Sequence, residues 1–257
     1  MIDVARTVQI YLSPHLDDAA LSCGGRIWQQ TRDGASVKVI TVFAGVPDSE
    51  GSLSPFAQQL HTRWGAAPDV VKARRREDRE ALGLLGAEAF HWRYRDCIYR
   101  RTEEGRFAYP GEDTLWGPID PADAGLIDRL RDRIGALLPG VSGRLYVPLA
   151  VGRHVDHRIV RTAAEESGVS LTYYEDFPYA EDAESVTTAM EDDAWRAETV
   201  PLSEAALEAK IEAIACYRTQ MSTFWESPGE MAESVRAYVE RLGAGSPAER
   251  YWSVSSA

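Results

Sequence analysis

The stretch from Val8 to Gly25 constrains this chain more than any other. Residues 8–12 form a short apolar run, Pro14 stops it, and Leu21, Ile27 and Trp28 then recur at helical spacing. A buried strand thus hands over to a helix through a turn that holds His15, Asp17 and Asp18. Strand-turn-helix is the repeating unit of α/β folds, and in an open α/β sheet ligands bind beyond the carboxyl ends of the strands. Three side chains able to hold a metal or move a proton in one such turn point to chemistry there. Either aspartate could instead cap the helix; capping accounts for one carboxylate and leaves the other, and the histidine, without a role.

The same alternation continues. A helix over residues 25–32, the Asp33-Gly34 turn and a β-branched strand over 37–43 complete a βαβ unit. Residues 69–85 read as an amphipathic helix closed by Gly86, 90–92 as a third strand, and 123–138 as a helix ended by Pro139-Gly140. Strands over 145–151 and 171–174, helices over 203–217 and 229–242, and a last strand over 250–254 complete the chain. At 257 residues with no internal repeat or linker, this predicts one domain spanning 1–257, a single-domain Rossmann-like α/β three-layer sandwich on a mostly parallel sheet. Segments 44–68 and 93–121 are too long and irregular for ordinary connections and are expected to form the substrate rim. Within the first, Phe56, Leu60, His61 and Trp64 fit a short amphipathic helix.

The strand over 145–151 repeats the opening arrangement, leading through Gly152 into His154, Asp156 and His157. The chain has five histidines, and three of them sit in these two turns, which suits a metal with an open coordination position. Cys23, Cys97 and Cys216 are far apart and form no CxxC pair, so the donors of any metal site should be nitrogen and oxygen. With 28 Lys and Arg against 40 Asp and Glu, the formal charge of −12 argues against nucleic acid as a partner. The first residues lack a basic segment leading into an apolar run, and no stretch has the roughly 20 apolar residues of a membrane helix, so a cytoplasmic location and no transmembrane segment are expected.

These residues resemble the zinc-dependent N-deacetylases related to the enzyme that deacetylates N-acetylglucosaminyl phosphatidylinositol, the PIG-L/LmbE-like family. Its opening motif is similar to His15-Leu16-Asp17-Asp18 with Leu21 and Gly24-Gly25, and its later motif to His154-Val155-Asp156-His157. Arg75, Arg76 and Glu77, then Leu82-Gly83 and Leu85-Gly86, resemble its middle, and Lys210, Tyr217 and Gln220 its end, so the likeness covers about residues 8–220. The resemblance implies Zn2+ or another divalent metal on His15, Asp18 and His157, general-base work by Asp17, and assistance to the oxyanion by a protonated His154 with Asp156 behind it. The charged run Arg74 to Glu80 is either a solvated helix face or aims an arginine into the pocket, and Arg75, Arg76 and Asp96 are the candidate substrate contacts. The implied reaction is hydrolysis of the acetamide of an N-acetylated amino sugar in a glycoside or conjugate, with a small-molecule substrate as partner and a homo-oligomer allowed. An amidase for a larger amide conjugate is the alternative within enzymes. A non-catalytic nucleotide-binding module is the alternative outside them, although Gly24-Gly25 follow the polar turn and no GxGxxG is present. The chain departs from the family in two places. Leu16 stands where proline is common, and Gly152 where some members carry a tyrosine, leaving Tyr11, Tyr146 or a lid residue to replace it.

Overall fold

The computed structural model describes residues 7–47, 52–65, 69–138, 142–190 and 194–254. In chain order the elements are β1 (Val8–Ser13), α1 (Asp18–Arg32), β2 (Ser36–Thr41), α2 (Pro55–Arg63), α3 (Val70–Leu84), β3 (Glu88–His91), α4 (Glu112–Leu115), α5 (Ala124–Gly135), β4 (Gly143–Pro148), α6 (Val155–Glu165), β5 (Leu171–Tyr174), α7 (Ala183–Thr188), β6 (Trp195–Pro201), α8 (Glu204–Ala215), α9 (Arg218–Phe224), α10 (Pro228–Leu242) and β7 (Ala248–Val254). These strands join one sheet in the order β3-β2-β1-β4-β5-β7-β6. The first five run parallel, β7 lies antiparallel on β5, and β6 lies antiparallel on β7. This is the mostly parallel α/β sheet expected from the sequence.

Alternation along the central strands explains the three layers. Ile10, Leu12, Leu145 and Val147 pack with Leu126, Leu130 and Ile134 of α5 and with Ile159 and Val160 of α6. The intervening Tyr11 and Tyr146, with Val37 and Val39, pack on Ala19, Cys23 and Ile27 of α1, on Ala81 and Leu82 of α3, and on Ala213 of α8. Successive strand side chains point to opposite faces, so a strand buried on both sides is apolar at consecutive positions, as Ile10-Tyr11-Leu12 in β1 and Leu145-Tyr146-Val147 in β4 are. A third apolar cluster, including Leu16, Ala57, Ile98, Tyr109 and Leu115, underlies the two long segments and raises them above the carboxyl edge of the sheet. Among the described residues no helix is long and apolar enough to cross a membrane.

Helices α7 and α9 were not expected from the sequence, and further differences bear on the site and the sheet. Helix α1 begins at Asp18 rather than at Gly25, because the Ser13 hydroxyl accepts the Ala19 N–H (3.0 Å) and caps it from the strand. Gly24 and Gly25 lie inside α1, where a Cβ on Gly25 would fall 2.5 Å from Leu202 Cδ1 and one on Gly24 3.0 Å from Lys210 Cγ; the pair admits α8 and the chain before it. Strand β6 had no apolar run to reveal it, being an edge strand with a mostly exposed pattern. The helix stop at Pro139-Gly140 lies outside the described residues.

Candidate active site

The strand order reverses between β1 and β4, and the polar turns after these two strands meet there, at the crevice where open α/β sheets bind ligands. The β1 turn is short. Ser13 does the capping, so Asp17, at the first position before α1, makes no cap bond, and Asp18 uses Oδ2 to accept the His15 N–H (2.7 Å). The β4 turn is strained: Ala150, Gly152 and Arg153 are all left-handed, with φ of 60°, 80° and 64°. Two of the three carry a Cβ, at a cost of about 1–3 kcal/mol each. The turn is held by the Arg161 guanidinium on the Leu149 carbonyl (2.9 Å) and by the Val151 N–H on Asp176 Oδ2 (2.9 Å), and it delivers His154 and His157 to the crevice.

His15, His154 and His157 offer ring nitrogens within 4.8 Å of one another. Asp18 Oδ2 stands 3.4 Å from His15 Nδ1 and 3.4 Å from His157 Nε2. That separation is the edge of a tetrahedron whose centre lies about 2.1 Å from each corner, the bond length of zinc to nitrogen or carboxylate oxygen. The far nitrogens are tied down. His15 Nε2 meets Asp156 Oδ2 at 2.9 Å and His157 Nδ1 meets Asp176 Oδ1 at 2.6 Å, the carboxylate-histidine pairing that turns a lone pair toward a metal. Burial opposes charge on both imidazoles, yet the bonds from Asp156 and Asp18 to His15, and Asp18 and Asp176 beside His157, raise their pKa values. Burial also opposes ionisation of Asp18, and His157 and His15 more than reverse it. The centre therefore favours positive charge, and this donor set fits a divalent cation. Two further groupings, Cys97 with His154 and Asp156, and His15 with Asp96 and Asp156, share Asp156, which is spent: it accepts the Cys97 N–H (3.0 Å) and pairs with Arg100 Nη1 (2.6 Å), while the Cys97 thiol donates to Asp96.

His154 is set differently. Its Nδ1 accepts the Asp156 backbone N–H (3.2 Å), which requires a lone pair on Nδ1 and leaves the ring proton on Nε2. Burial, then the neighbouring His15, pulls its pKa well below the usual imidazole value. The structure thus sets His154 as a neutral imidazole where a protonated one was expected, with the Asp156 carboxylate bonded to His15 while a carboxylate oxygen lies within 4.8 Å of a His154 ring nitrogen. Asp17 is buried in the floor of the cleft, 3.7 Å from Arg74 Nη2. Burial pushes its carboxyl up to about 6 against the pull of Arg74.

The cleft takes in His15, Asp17, Asp18, Asp96 and His154. Asp96 Oδ2 lies 4.0 Å from His15 Nε2, while its Oδ1 accepts the Ile98 N–H. Of the arginine run in α3, the cleft takes Arg74 and not the two residues singled out from the sequence. Arg75 donates from Nε to the Ala44 carbonyl (2.7 Å), and Arg76 lines a separate depression with Glu77 and Arg218. Consecutive helical residues diverge by about 100°, so only one of the three can face the floor. Tyr11 and Tyr146 are stacked in the core at 4.1 Å, bonded to Gln30 and Gln9, and are removed from the cleft. Tyr179 lines it instead: a Cβ at position 152 would stand 2.8 Å from the Tyr179 ring, so Gly152 makes the room that this tyrosine fills. Sequence reasoning missed Arg100. Asp176 and Tyr179 carried a signal, an acid and an aromatic just past the strand over 171–174, but no role was assigned to them.

Comparison with known proteins agrees with this geometry. The family model described as GlcNAc-PI de-N-acetylase (PIG-L) matches residues 10–167, which include both His/Asp turns. The 2'-N-acetylparomamine deacetylase of Niallia circulans is 27% identical over 260 residues, covering 95% of this chain and 89% of that protein. The 2'-N-acetylparomamine deacetylase of Streptomyces fradiae is 32% identical over 184 residues, covering 69% of this chain and 59% of that one. The crystal structure of the zinc-inhibited form of teicoplanin deacetylase Orf2 superposes with a TM-score of 0.86 at 30% identity, covering 98% of this chain and 99% of that one. A match over more than half its length, spanning the two turns that build the site, means that this chain belongs to the GlcNAc-PI de-N-acetylase (PIG-L) family.

Proposed function

We propose that this protein is a metal-dependent N-deacetylase, a hydrolase that removes acetyl from the amine of an amino sugar within a glycoside or conjugate. The observation that carries the reading is the convergence of His15 Nδ1, Asp18 Oδ2 and His157 Nε2 at tetrahedral spacing, with a carboxylate on the far side of each imidazole. His15, Asp18 and His157 would hold the metal, and the nitrogen and oxygen donors suit zinc. A divalent cation there supplies Lewis acidity toward the acyl carbonyl and lowers the pKa of the attacking water.

The remaining steps fall to the chain. Asp17, buried beside Asp18 and making no cap bond, takes the proton of the attacking water on a carboxylate oxygen and returns it to the leaving amine. His154 presents Nε2–H as a neutral donor to the oxygen that gains charge as the carbonyl is attacked, and Tyr179 is the tyrosine near enough to add a second donor. Asp156 and Asp176 keep His15 and His157 in the tautomers their role needs. Arg74 and Asp96, which both line the cleft, hold the sugar. Acetate release from N-acetylated amino sugars tests the reading: it should vanish on chelation and return with zinc. Undiminished release from rigorously metal-free protein would refute it.

A further inference from the structure

Helix α1 is entered from the side by two buried charged groups. Lys210 of α8, fully buried, donates from Nζ to the Ser22 carbonyl (3.2 Å) and to Glu249 Oε1 (2.8 Å). Glu249 of β7 accepts the Gly25 N–H on Oε1 and the Arg26 N–H on Oε2, both at 3.0 Å, and the Tyr251 hydroxyl on Oε2 (2.8 Å). The Ser22 carbonyl and the Arg26 N–H are the two ends of one i, i+4 rung of an α-helix, and here each has a side-chain partner from another element. Helices bend where a side chain enters that ladder, so the ion pair sets the course of α1 at this rung. Residues without side chains let it in: a Cβ at position 24 would lie 3.0 Å from Lys210 Cγ, and one at position 25 would lie 3.2 Å from Glu249 Oε1. Ser22 stands one turn after Asp18, and its hydroxyl accepts the Phe177 N–H (3.2 Å). Phe177 follows Asp176, whose Oδ1 lies 2.6 Å from His157 Nδ1. Ser22 is thus tied to Asp18 through one turn of helix and to His157 through Phe177 and Asp176. For stability alone an ion pair is a costly filling, since apolar side chains of similar volume often serve as well or better. What apolar groups lack is the directional bonding that holds one carbonyl and two N–H groups in place.

We propose that Lys210 is a positioning residue for the metal centre: paired with Glu249 and admitted by Gly24-Gly25, it fixes Ser22 and thereby the spacing of Asp18 and His157; this rests on the reading of His15, Asp18 and His157 as metal ligands. The 3.4 Å between Asp18 Oδ2 and His157 Nε2 has little tolerance, because zinc needs both donors about 2.0–2.2 Å from one point. The test is metal binding, measured apart from turnover. In Lys210→Met, chelator competition on the folded protein should give a zinc affinity about tenfold below the parent's, the small end of the loss caused by removing a partner behind a ligand. The visible absorption of the Co2+-substituted protein, which reports ligand geometry, should shift as well. Lys210→Met strands the Glu249 carboxylate, so the same measurements are made on Lys210→Met/Glu249→Gln, which leaves no charge at the buried pair. There, thermal stability should return toward the parent's while zinc affinity stays low and the cobalt spectrum stays altered. Affinity and spectrum that recover together with stability, or that match the parent in both variants, would reduce the pair to support for the fold and overturn the inference. Ser22→Ala keeps the ion pair and removes only the hydroxyl that the Phe177 N–H meets; it should lower zinc affinity too, and a parent-like value refutes the route through Asp176. Acetate release keeps the two readings apart. Weakened metal binding in these variants of a protein that releases no acetate from any N-acetylated amino sugar would keep the positioning role and reject the deacetylase. Release by the parent, with zinc affinity untouched in the variants, would do the reverse.

Discussion

Asp176→Asn is the substitution that most directly tests how the site is built. Asp176 is 2% exposed and uses both oxygens: Oδ1 lies 2.6 Å from His157 Nδ1 and Oδ2 accepts the Val151 N–H at 2.9 Å. An asparagine of the same shape cannot do both. With its carbonyl oxygen toward His157, its amide group faces the Val151 N–H, donor against donor, inside the strained turn. With its amide toward His157, it donates to Nδ1 and drives the ring proton onto Nε2, the nitrogen that stands 3.4 Å from Asp18. The first arrangement orphans a buried backbone donor, at a cost of about 1–3 kcal/mol. The second withdraws a ligand lone pair. Loss of a carboxylate partner behind a metal-binding imidazole typically weakens metal affinity about 10–100-fold, which is about 1.4–2.7 kcal/mol. Competition with a chromogenic chelator reads the affinity, and thermal unfolding of the metal-free protein reads the turn. The expected result is metal affinity lower by that factor in a folded variant. An affinity within about twofold of the parent would refute the assignment of His157 Nε2 as a ligand.

Asp17→Asn should retain the metal and lose about a hundredfold or more in turnover, whereas Asp18→Ala should lose metal; metal analysis beside acetate release separates them, and the opposite pattern would exchange their roles. His157→Ala should release the metal, while His154→Ala should keep it and lower kcat about 10²–10³-fold, the usual cost of one donor to an oxyanion; equal metal loss in both would make His154 a ligand. Lys210→Ala should destabilise the protein by about 3–5 kcal/mol in denaturant titrations, because Lys210, fully buried, pairs with Glu249 at 2.8 Å and its loss strands a buried carboxylate. A loss below about 1 kcal/mol would mean that the bonds from Gly25, Arg26 and Tyr251 to Glu249 suffice without the lysine.

Much of this protein was legible in the chain alone, because the legible parts obey local rules. An apolar strand buried on both faces, a proline stop and a helical recurrence of leucines are short-range signals, and they located β1, β4 and the two turns that carry His15, Asp17, Asp18, His154 and His157. Helix α2 was equally visible in the four-residue spacing of Phe56, Leu60 and Trp64. What the chain could not announce depends on partners far away in sequence. Asp156 lies two residues from His154, yet its carboxylate crosses 141 residues of chain to His15 and is held by Arg100. Which of three consecutive arginines faces the floor depends on the rotation of α3 against the sheet, and packing of Val70, Val71 and Ala81 selected Arg74. Gly152 read as a missing tyrosine; only with Tyr179 packed over it does the glycine become the space in which another tyrosine reaches the site. Local pattern determined which residues stand at the strand ends, whereas side-chain partnership across the crevice, where burial makes every hydrogen bond and charge count, decided what each of them can do.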